Sequence, residues 1–477
     1  MSKVTELKPQ EVWRHFYELT QIPRISKKEE KAVEFVYNFG KKLGLETCKD
    51  EVGNVVIRKT ATSGFENRPT VVLQAHIDMV PAPKEYDFEK NGVTAMINGD
   101  WVTADGTTLG ADNGMGVAAA MAVLESKTLK HGNIEALFTV DEETGMTGAQ
   151  NLKPEMLKGS VLINLDTEDE GVFYIGCAGG VDGTFKLKYR EEKIPANVET
   201  FAISVKGLNG GHSGIDINLG RGNANKILFR ILKHTINDTC LSAVSGGNIR
   251  NAIPSEACAC VVVQSDKTET VRTAVENIAE IIKSELQHTE PDLQIMFTKT
   301  EQAETIIEKD AQIRLINAIN ACPDGVLRMS DTVAGLVETS SNLAIVKSEN
   351  GTVSISCLIR SSVNTAKTYV TSILESLFTL AGAESVFTGS YPGWDPNPDS
   401  AILAKAKKLY ADMFGAEPAI EAVHAGLECG LLGGTYPSMD MISCGPTIKY
   451  PHSTSEKVNI ESVAKWWKFL TALLESI

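Results

Sequence analysis

The sequence predicts an α/β protein with a mostly parallel central sheet, split by an inserted α+β domain. Apolar strand-like runs such as VVLQAHIDM and NIEALFTV alternate with helical segments through residues 1–186. Segments of residues 187–390, such as ETFAISVKGL, instead alternate apolar and polar residues, the period of half-solvated antiparallel strands. Residues 391–477 return to the first pattern. Since 477 residues exceed one typical core, we expect two domains, the first of them made of residues 1–186 and 391–477.

The first domain begins with two helices predicted over residues 8–22 and 28–44. Strands and helices then follow in the order NVVIRK, VVLQAHIDM, the helix GMGVAAAMAVLES, NIEALFTV, a short helix near residues 146–152, and SVLINLD. These strands are almost continuously apolar, which indicates burial on both faces of a parallel sheet.

The inserted domain shows a weak internal repeat. Strand FKLKYREE, strand ETFAISVKGL, helix ANKILFRILKH, strand EACACVVVQ and helix TVRTAVENIAEIIKSELQ precede a similar series: helix AQIRLINAINA, strand TVSISCLIRSS, helix TYVTSILESLFTLAG and strand SVFTGSYPG. We expect an α+β module built twice, as two ferredoxin-like halves. The segment PGWDPNPDS is the predicted return linker, and AIEAVHAGLECGLL beyond it is predicted to be a strand running into a helix.

Composition excludes several classes of protein. Contents of 43% hydrophobic and 22% charged residues are ordinary for a globular protein, and a net charge of -15 argues against nucleic acid and anionic membranes as partners. No apolar run reaches the length of a membrane span, so none is expected. The nine cysteines form no C-x-x-C pair, and no signal peptide is evident at the N-terminus. We therefore expect reduced thiols and a cytoplasmic location.

Acids and histidines follow the hydrophobic runs of the first domain. They are His76, Asp78, Asp112, Glu142, Glu143, Asp166 and, near the C-terminus, His452. The carboxyl ends of parallel strands meet at one edge of a sheet, so these groups can converge. A mixture of imidazole and carboxylate suits one or two zinc ions.

Each of these positions also has an ordinary structural interpretation. His76 and Asp78 share a strand face, so Asp78 can orient His76, but both could simply be leaving a strand for a turn. Asp112 precedes a helix and could either cap it or bridge two cations. Glu142 and Glu143 could be a solvated acidic turn, or could divide the roles of base and metal ligand.

The two remaining positions have the same ambiguity. Asp166 is followed by the acidic TEDE, and His452 lies in a loop between Pro451 and Ser453. Taken alone, the first would be a solvated acidic loop and the second an exposed histidine. It is the joint arrangement over successive strand ends that predicts a metallohydrolase.

The segments HIDMVP, GADNGMG, DEETGMTGA, INLD, GGHSG and YPHSTSE resemble the co-catalytic di-zinc exopeptidase family of aminoacylases, glutamate carboxypeptidases and carnosinases. GLNGGHSGIDI, GGNIRNAIP and VHAGLECG resemble its bacterial aminoacyl-histidine dipeptidase branch, and the likeness covers essentially the whole chain. It implies a zinc-exopeptidase-like catalytic domain with an inserted lid. It also implies two Zn²⁺, with Mn²⁺ or Co²⁺ as possible substitutes. The implied ligands are His76 and Asp166 for one ion, Glu143 and His452 for the other, and Asp112 as the bridge, with Glu142 as general base and Asp78 orienting His76.

The resemblance also assigns roles to residues of the inserted domain. It implies that His212 donates to the oxyanion of a tetrahedral intermediate and that Arg360 binds the substrate carboxylate. Asn251 is the implied further substrate contact, with Asn248 as its rival. On residue type alone, His212 could be a turn histidine and Arg360 a surface arginine.

His424 and Glu428 are four residues apart and would share a face on a helix. They could form a third metal site, but we favour a place in the substrate pocket, with Glu428 near the peptide amine.

These expectations combine into a zinc-dependent dipeptidase of broad specificity that acts on Xaa-His dipeptides such as carnosine. The alternatives are an N-acyl amino-acid deacylase or tripeptidase on the same scaffold and, from a different class, a metal-dependent peptide-binding protein. A homodimer is possible but not required, because the doubled module can supply what a partner subunit supplies in single-module relatives.

Overall fold

The computed structural model describes residues 3–477. The chain divides into two compact units. Unit 1 contains the chain through Gly176, Pro396–Ala422 and Leu427–Ile477, and unit 2 contains Cys177–Asp395 and Val423–Gly426. Unit 2 thus begins before residue 187, the boundary expected from the change in sequence pattern.

The first part of unit 1 alternates strands and helices, after a 3₁₀ turn at Lys3–Glu6. Its helices are α1 Gln10–Thr20, α2 Glu30–Lys42, α3 Ala111–Glu125, α4 Glu142–Gly145 and α5 Thr147–Asn151. Its strands are β1 Glu46–Lys49, β2 Val55–Lys59, β3 Val71–His76, β4 Ala95–Asn98, β5 Trp101–Ala104, β6 Ile134–Thr139, β7 Val161–Asn164 and β8 Val172–Cys177.

Strands dominate unit 2. They are β9 Gly179–Lys188, β10 Glu191–Lys193, β11 Val198–Lys206, β12 Gly211–His212, β13 Thr239–Gly246, β14 Ala252–Ile253, β15 Ala257–Gln264, β16 Gln294–Lys299, β17 Thr305–Ile307, β18 Gly325–Met329, β19 Val337–Glu349, β20 Thr352–Ser361 and β21 Glu384–Tyr391. Its helices are α6 Ala224–His234, α7 Thr268–Leu286, α8 Lys309–Ala321 and α9 Asn364–Leu380, with a 3₁₀ turn at Ser265–Lys267.

The chain then returns to unit 1 and ends in a long helix. These last elements are α10 Ala401–Phe414, β22 Ala419–Val423, α11 Glu428–Thr435, β23 Asp440–Ser443, β24 Ile448–Lys449, β25 Lys457–Asn459 and α12 Ile460–Ser476.

The central sheet of unit 1 has eight strands in the order β1-β2-β6-β3-β7-β23-β8-β22. Its four middle strands, β6, β3, β7 and β23, are mutually parallel, whereas β1, β2 and β8 pair antiparallel. Every residue of β3 and β6 is buried, as their apolar sequences predict. The predicted α/β class is confirmed, and the parallel strands form the middle of a mixed sheet. Unit 1 also contains a separate four-stranded sheet in the order β24-β25-β5-β4.

Unit 2 is built on one continuous antiparallel sheet in the order β16-β11-β15-β13-β19-β20-β9-β21, with β18 added beside β19. Strands β11, β13, β15 and β16 with α6 and α7 form a βαββαβ module, the arrangement of a ferredoxin-like fold. Strands β9, β19, β20 and β21 with α8 and α9 form a second one. The second module contributes its first strand, β9, before the first module begins, so the two are nested rather than consecutive. Helices from both modules share one hydrophobic core.

Candidate functional site

The carboxyl ends of the parallel strands in unit 1 carry the predicted site residues. β3 ends at His76, Glu142 and Glu143 open α4 directly beyond β6, and Asp166 lies just beyond β7. This is the edge at which open parallel sheets place their ligands. His452 comes from the loop between β24 and β25, where its backbone φ is +60°.

Asp112 lies between two groups of ligand-competent atoms. Its Oδ1 is 3.1 Å from Nε2 of His76, and its Oδ2 is 3.2 Å from Nε2 of His452. On the first side, Oδ1 of Asp166 lies 3.4 Å from His76 Nε2. On the second side, Oε2 of Glu143 lies 3.0 Å from His452 Nε2. Each group of three offers ligand atoms within 4.8 Å of one another, so the two oxygens of one carboxylate face two groups of candidate ligands.

The capping interpretation of Asp112 is wrong. Gly110 occupies the N-cap position of α3 without a side-chain cap, and Asp112 itself has non-helical backbone angles. Its carboxylate is therefore turned towards the histidines rather than back onto the helix.

Asp78 links the two strand ends. One of its oxygens lies 3.3 Å from Nδ1 of His76, and the carboxylate also accepts from Ser26 Oγ at 2.8 Å. The backbone N–H groups of Glu142 and Glu143 donate to it at 3.0 and 3.2 Å. Asp78 thus lies beside the ring of His76 and fixes the turn that carries both glutamates, while its orienting role toward His76 stays a prediction.

The donor set suits divalent cations. The two groups around Asp112 contain two imidazoles and the carboxylates of two aspartates and one glutamate, which are ligands that zinc accepts. Oε1 of Glu143 is buried without a hydrogen-bond partner in the described chain, which leaves an acceptor for an ion. The fit is good on both sides of Asp112.

The acids and histidines of this cluster shift one another's pKa values. Hydrogen bonds to Asp112 and Glu143 raise the pKa of His452 to about 11. Burial opposes a charged His76, but the nearby Asp166 and Asp112 raise its pKa well above the usual value. Positive charge on protons or metal ions therefore stabilises this cluster of carboxylates. Because an ion would replace protons on the histidines, its binding must release protons.

Burial raises the pKa of Glu142 well above the usual value and that of Glu168 to about 8. The charges of Asp112 and Asp166 add to the effect on Glu168. Sequence reasoning assigned no role to Glu168, because TEDE is indistinguishable from a solvated acidic loop without the tertiary fold.

In unit 2, the ring of His212 has a defined tautomer. Its Nδ1 accepts from the backbone N–H groups of Gly214 at 3.2 Å and Ile215 at 3.1 Å. The proton of the neutral ring is therefore on Nε2, which is left as a donor. Burial and the positive charge of Arg360 lower the pKa of His212, so the neutral form dominates at neutral pH.

Arg360 is a buried cation with an N–H donor that has no hydrogen-bond partner among the described residues. Its side chain is 6% exposed, its Nη1 donates to the Tyr391 hydroxyl at 3.3 Å, and its Nε is buried without a partner in the described chain. A buried guanidinium with unused donors is suited to a carboxylate ligand. It is not the surface arginine that the sequence alone allowed.

His424 and Glu428 do not share a helix face, because α11 begins at Glu428 and His424 precedes it. In unit 2, His424 Nε2 lies 2.7 Å from Ser340 Oγ. In unit 1, the fully buried Glu428 accepts from Gln74 Nε2 at 2.5 Å and Thr139 Oγ1 at 2.7 Å. The shared helix face expected for a third metal site is therefore absent. A substrate role for Glu428 stays a prediction.

Asn251 and Asn248 both lie on exposed backbone of unit 2. The carbonyl of Asn251 accepts from Ser213 N at 2.9 Å, which ties it to the His212 loop. Asn248 lines a cavity with Lys206 and Glu256. The choice between them as a substrate contact stays a prediction.

An α/β unit that gathers two histidines and four carboxylates at the carboxyl edge of its parallel strands has the architecture of a metal-dependent hydrolase. The profile of Peptidase family M20/M25/M40 matches residues 72–476, and the chain belongs to that family.

Two relatives match over the full length. The chain is 44% identical to the cytosol non-specific dipeptidase of Escherichia coli (strain K12), over 100% of this chain and 99% of that one. The crystal structure of aminoacylhistidine dipeptidase from Vibrio alginolyticus superimposes with a TM-score of 0.95 at 45% identity, over 100% of this chain and 98% of that chain. The aminopeptidase PepT structure from Bacillus cereus, at 18% identity and a TM-score of 0.57, covers 98% of each chain and shares the fold.

Within residues 3–477, no helix combines the length and apolar character that crossing a membrane requires.

Proposed function

We propose that this protein is a zinc-dependent dipeptidase of broad specificity that hydrolyses dipeptides of the Xaa-His type. The observation that carries the proposal is Asp112, whose two carboxylate oxygens face two separate groups of histidine and acid. Two full-length relatives are named as dipeptidases, one of them an aminoacylhistidine dipeptidase.

The site residues divide naturally between two ions. His76 and Asp166 would hold one zinc, Glu143 and His452 the other, and Asp112 would bridge them, because the ligand atoms of each group lie within 4.8 Å of one another. When bound, zinc ions polarise a carbonyl and lower the pKa of a water molecule. Mn²⁺ or Co²⁺ could substitute, because nitrogen and oxygen ligands do not select strictly among these ions.

Glu142 is the proposed general base. It neighbours the ligand Glu143, and its backbone is fixed by Asp78. Its carboxylate takes the proton of the attacking water and later returns it to the leaving amine, the two transfers that amide hydrolysis needs.

Unit 2 supplies the groups that recognise a peptide. The Nε2–H of His212 is the proposed donor to the oxyanion of the tetrahedral intermediate. Arg360 binds the C-terminal carboxylate of the substrate through its free donors. Asn251 and Glu428 are further candidates, for the peptide and for its amine.

One chain already contains two βαββαβ modules in a single sheet. A homodimer is therefore possible but not needed to complete the proposed site. The net charge of -15 favours neither nucleic acid nor anionic membranes as partners, and we propose a cytoplasmic location.

Metal analysis and a substrate panel test this function together. The purified chain is loaded with zinc, and its metal content is compared with hydrolysis of carnosine, several unrelated dipeptides, a tripeptide and an N-acetyl amino acid. We expect two zinc ions per chain and turnover of dipeptides. Preferred cleavage of the tripeptide or the N-acetyl amino acid would establish one of the alternatives. Two bound metals with no hydrolysis of any substrate would leave a peptide-binding protein.

A further inference from the structure

Glu456 holds the loop that carries Asp112. The residue is 2% exposed. Its Oε2 accepts from the backbone N–H groups of Leu109 at 2.8 Å and Gly110 at 2.9 Å. Its Oε1 accepts from those of Ala111 at 2.7 Å and Asp112 at 3.2 Å. One buried carboxylate thus binds four consecutive N–H groups that end at the proposed bridging ligand.

Arg24 holds the same loop from its carbonyl side. It is 1% exposed, and its Nη2 donates to Gly110 O at 2.5 Å. Its Nη1 donates to the carbonyls of Ile77 at 2.7 Å and Asp78 at 3.1 Å, directly after His76. Gly110 has a φ of +69°, and a Cβ there would collide with Arg24 Nη2 and lie 2.8 Å from Met79 Sδ. The loop therefore has little room to adopt another conformation.

These two charged groups connect three ligand-bearing segments. Glu456 follows His452 by four residues and immediately precedes β25. It links the His452 loop to the Asp112 loop, and Arg24 links the Asp112 loop to the end of β3. A bridging carboxylate must present both oxygens at fixed angles, and a displaced loop would misalign it for both ions.

We propose that Glu456 and Arg24 are positioning residues of the metal centre, which set the orientation of the Asp112 carboxylate between the two ions. This inference rests on the proposed function, because it assumes that Asp112 bridges two metals. Neither residue touches the substrate or the reacting atoms in this role.

A second Glu–Arg pair provides a matched control. Glu135 is 2% exposed, and its Oε2 accepts from the backbone N–H groups of Lys158 at 2.7 Å and Gly159 at 2.9 Å. Arg58 donates from Nε to Glu135 at 2.9 Å and from Nη2 to Met156 O at 2.6 Å. This pair also belongs to unit 1, but Glu135 is at the beginning of β6, the end of the strand away from Glu142. It stabilises the fold without holding a ligand loop.

The experiment compares Glu456→Gln and Arg24→Lys with Glu135→Gln and Arg58→Lys in the full chain. Glu456→Gln removes one acceptor oxygen and places an NH₂ group against backbone N–H groups. Arg24→Lys replaces the planar guanidinium, which donates to three carbonyls, by a single ammonium group. Three quantities are measured: the melting temperature of the metal-free chain, zinc affinity by competition with a chromophoric chelator, and kcat and KM for a dipeptide at saturating zinc.

We expect all four substitutions to lower the melting temperature. Only Glu456→Gln and Arg24→Lys should weaken zinc binding, by about 10- to 100-fold. These two variants should also lower kcat, while KM stays within about two-fold of the value for the unsubstituted protein. Equal zinc affinity in the two pairs, with only the melting temperature changed, would overturn the positioning role. If Glu456→Gln does not fold, Arg24→Lys decides by the same comparison. Failure of the proposed function is distinct, since the unsubstituted chain would then bind no zinc or cleave no dipeptide.

Discussion

The pKa values of His452 in unit 1 and His424 in unit 2 are shifted in opposite directions. In unit 1, hydrogen bonds to Asp112 and Glu143 raise the pKa of His452 to about 11. In unit 2, burial together with the charge of Arg360 lowers the pKa of His424 to about 3. The same side chain is thus driven towards the cation by clustered acids and towards the neutral form by burial beside a cation.

This contrast indicates what each unit is suited to bind. The strand ends of unit 1 gather acids whose charge needs a cation, whereas unit 2 buries a guanidinium with unused donors beside neutral imidazoles. A metal centre and a carboxylate-binding site have these opposite requirements.

The largest effect should come from Glu142→Gln in unit 1. Loss of the proton acceptor should lower kcat by about 10²- to 10⁴-fold, while both zinc ions stay bound. Metal content and steady-state rates on the same preparation check this. Turnover close to that of the unsubstituted chain would mean that another group is the base.

Glu143→Gln sharpens the distinction between these adjacent glutamates. Because Glu143 is a proposed metal ligand, its replacement should weaken zinc binding, whereas replacement of Glu142 should not. Metal analysis after dialysis should find less than two ions per chain for Glu143→Gln and two for Glu142→Gln. Equal metal content in both variants would contradict the assignment of Glu143 as a ligand.

An intermediate effect is expected from Arg360→Lys in unit 2. A charge-assisted hydrogen bond contributes about 1.5–3 kcal/mol, so kcat/KM for a dipeptide should fall by about 10- to 100-fold with zinc content unchanged. Arg230→Lys is the control, because Arg230 lies on α6 of the same unit, exposed and paired with Glu285. If the two substitutions have the same effect on kcat/KM, Arg360 does not bind the substrate carboxylate.

The smallest effect concerns acid stability and His424. The folded state keeps this ring neutral down to about pH 3, whereas the unfolded chain takes up a proton below its ordinary value of 6.5. The unfolded state therefore binds more protons between these values, and stability falls as pH decreases through this range. At pH 5.5 the loss from this residue is about 1.4 kcal/mol relative to neutral pH.

His424→Gln should remove that dependence. Urea unfolding midpoints of the metal-free chain, measured at pH 7.5 and 5.5, should differ less for His424→Gln than for the unsubstituted protein. If the midpoints of His424→Gln and of the unsubstituted protein fall equally between pH 7.5 and 5.5, His424 is not held neutral in the folded state.

Much of the fold was predictable from local pattern. Continuous apolar strands predicted a buried parallel core, and β3 and β6 are buried at every residue. Acids and histidines just beyond those strands predicted a site at one edge, and the distances around Asp112 agree. These predictions succeeded because hydrophobic period and strand-end position are local properties of the sequence.

Non-local features were missed or misread. The expected helix joining His424 and Glu428 begins only at Glu428, and the two modules of unit 2 are nested because β9 pairs with β20 across more than 160 residues. Glu456 and Arg24 have no distinguishing local pattern, since their partners are backbone groups more than 50 residues away.

By itself, the sequence determined which residue types follow each strand and hence that a metal-competent set exists. Only the tertiary structure decided that Asp112 faces two histidines at once rather than capping α3, and that Arg360 is buried with donors unused. The physical reason is that strand ends are defined by hydrophobic burial along the chain, whereas ligand geometry and charge coupling depend on distances of a few ångströms between distant segments.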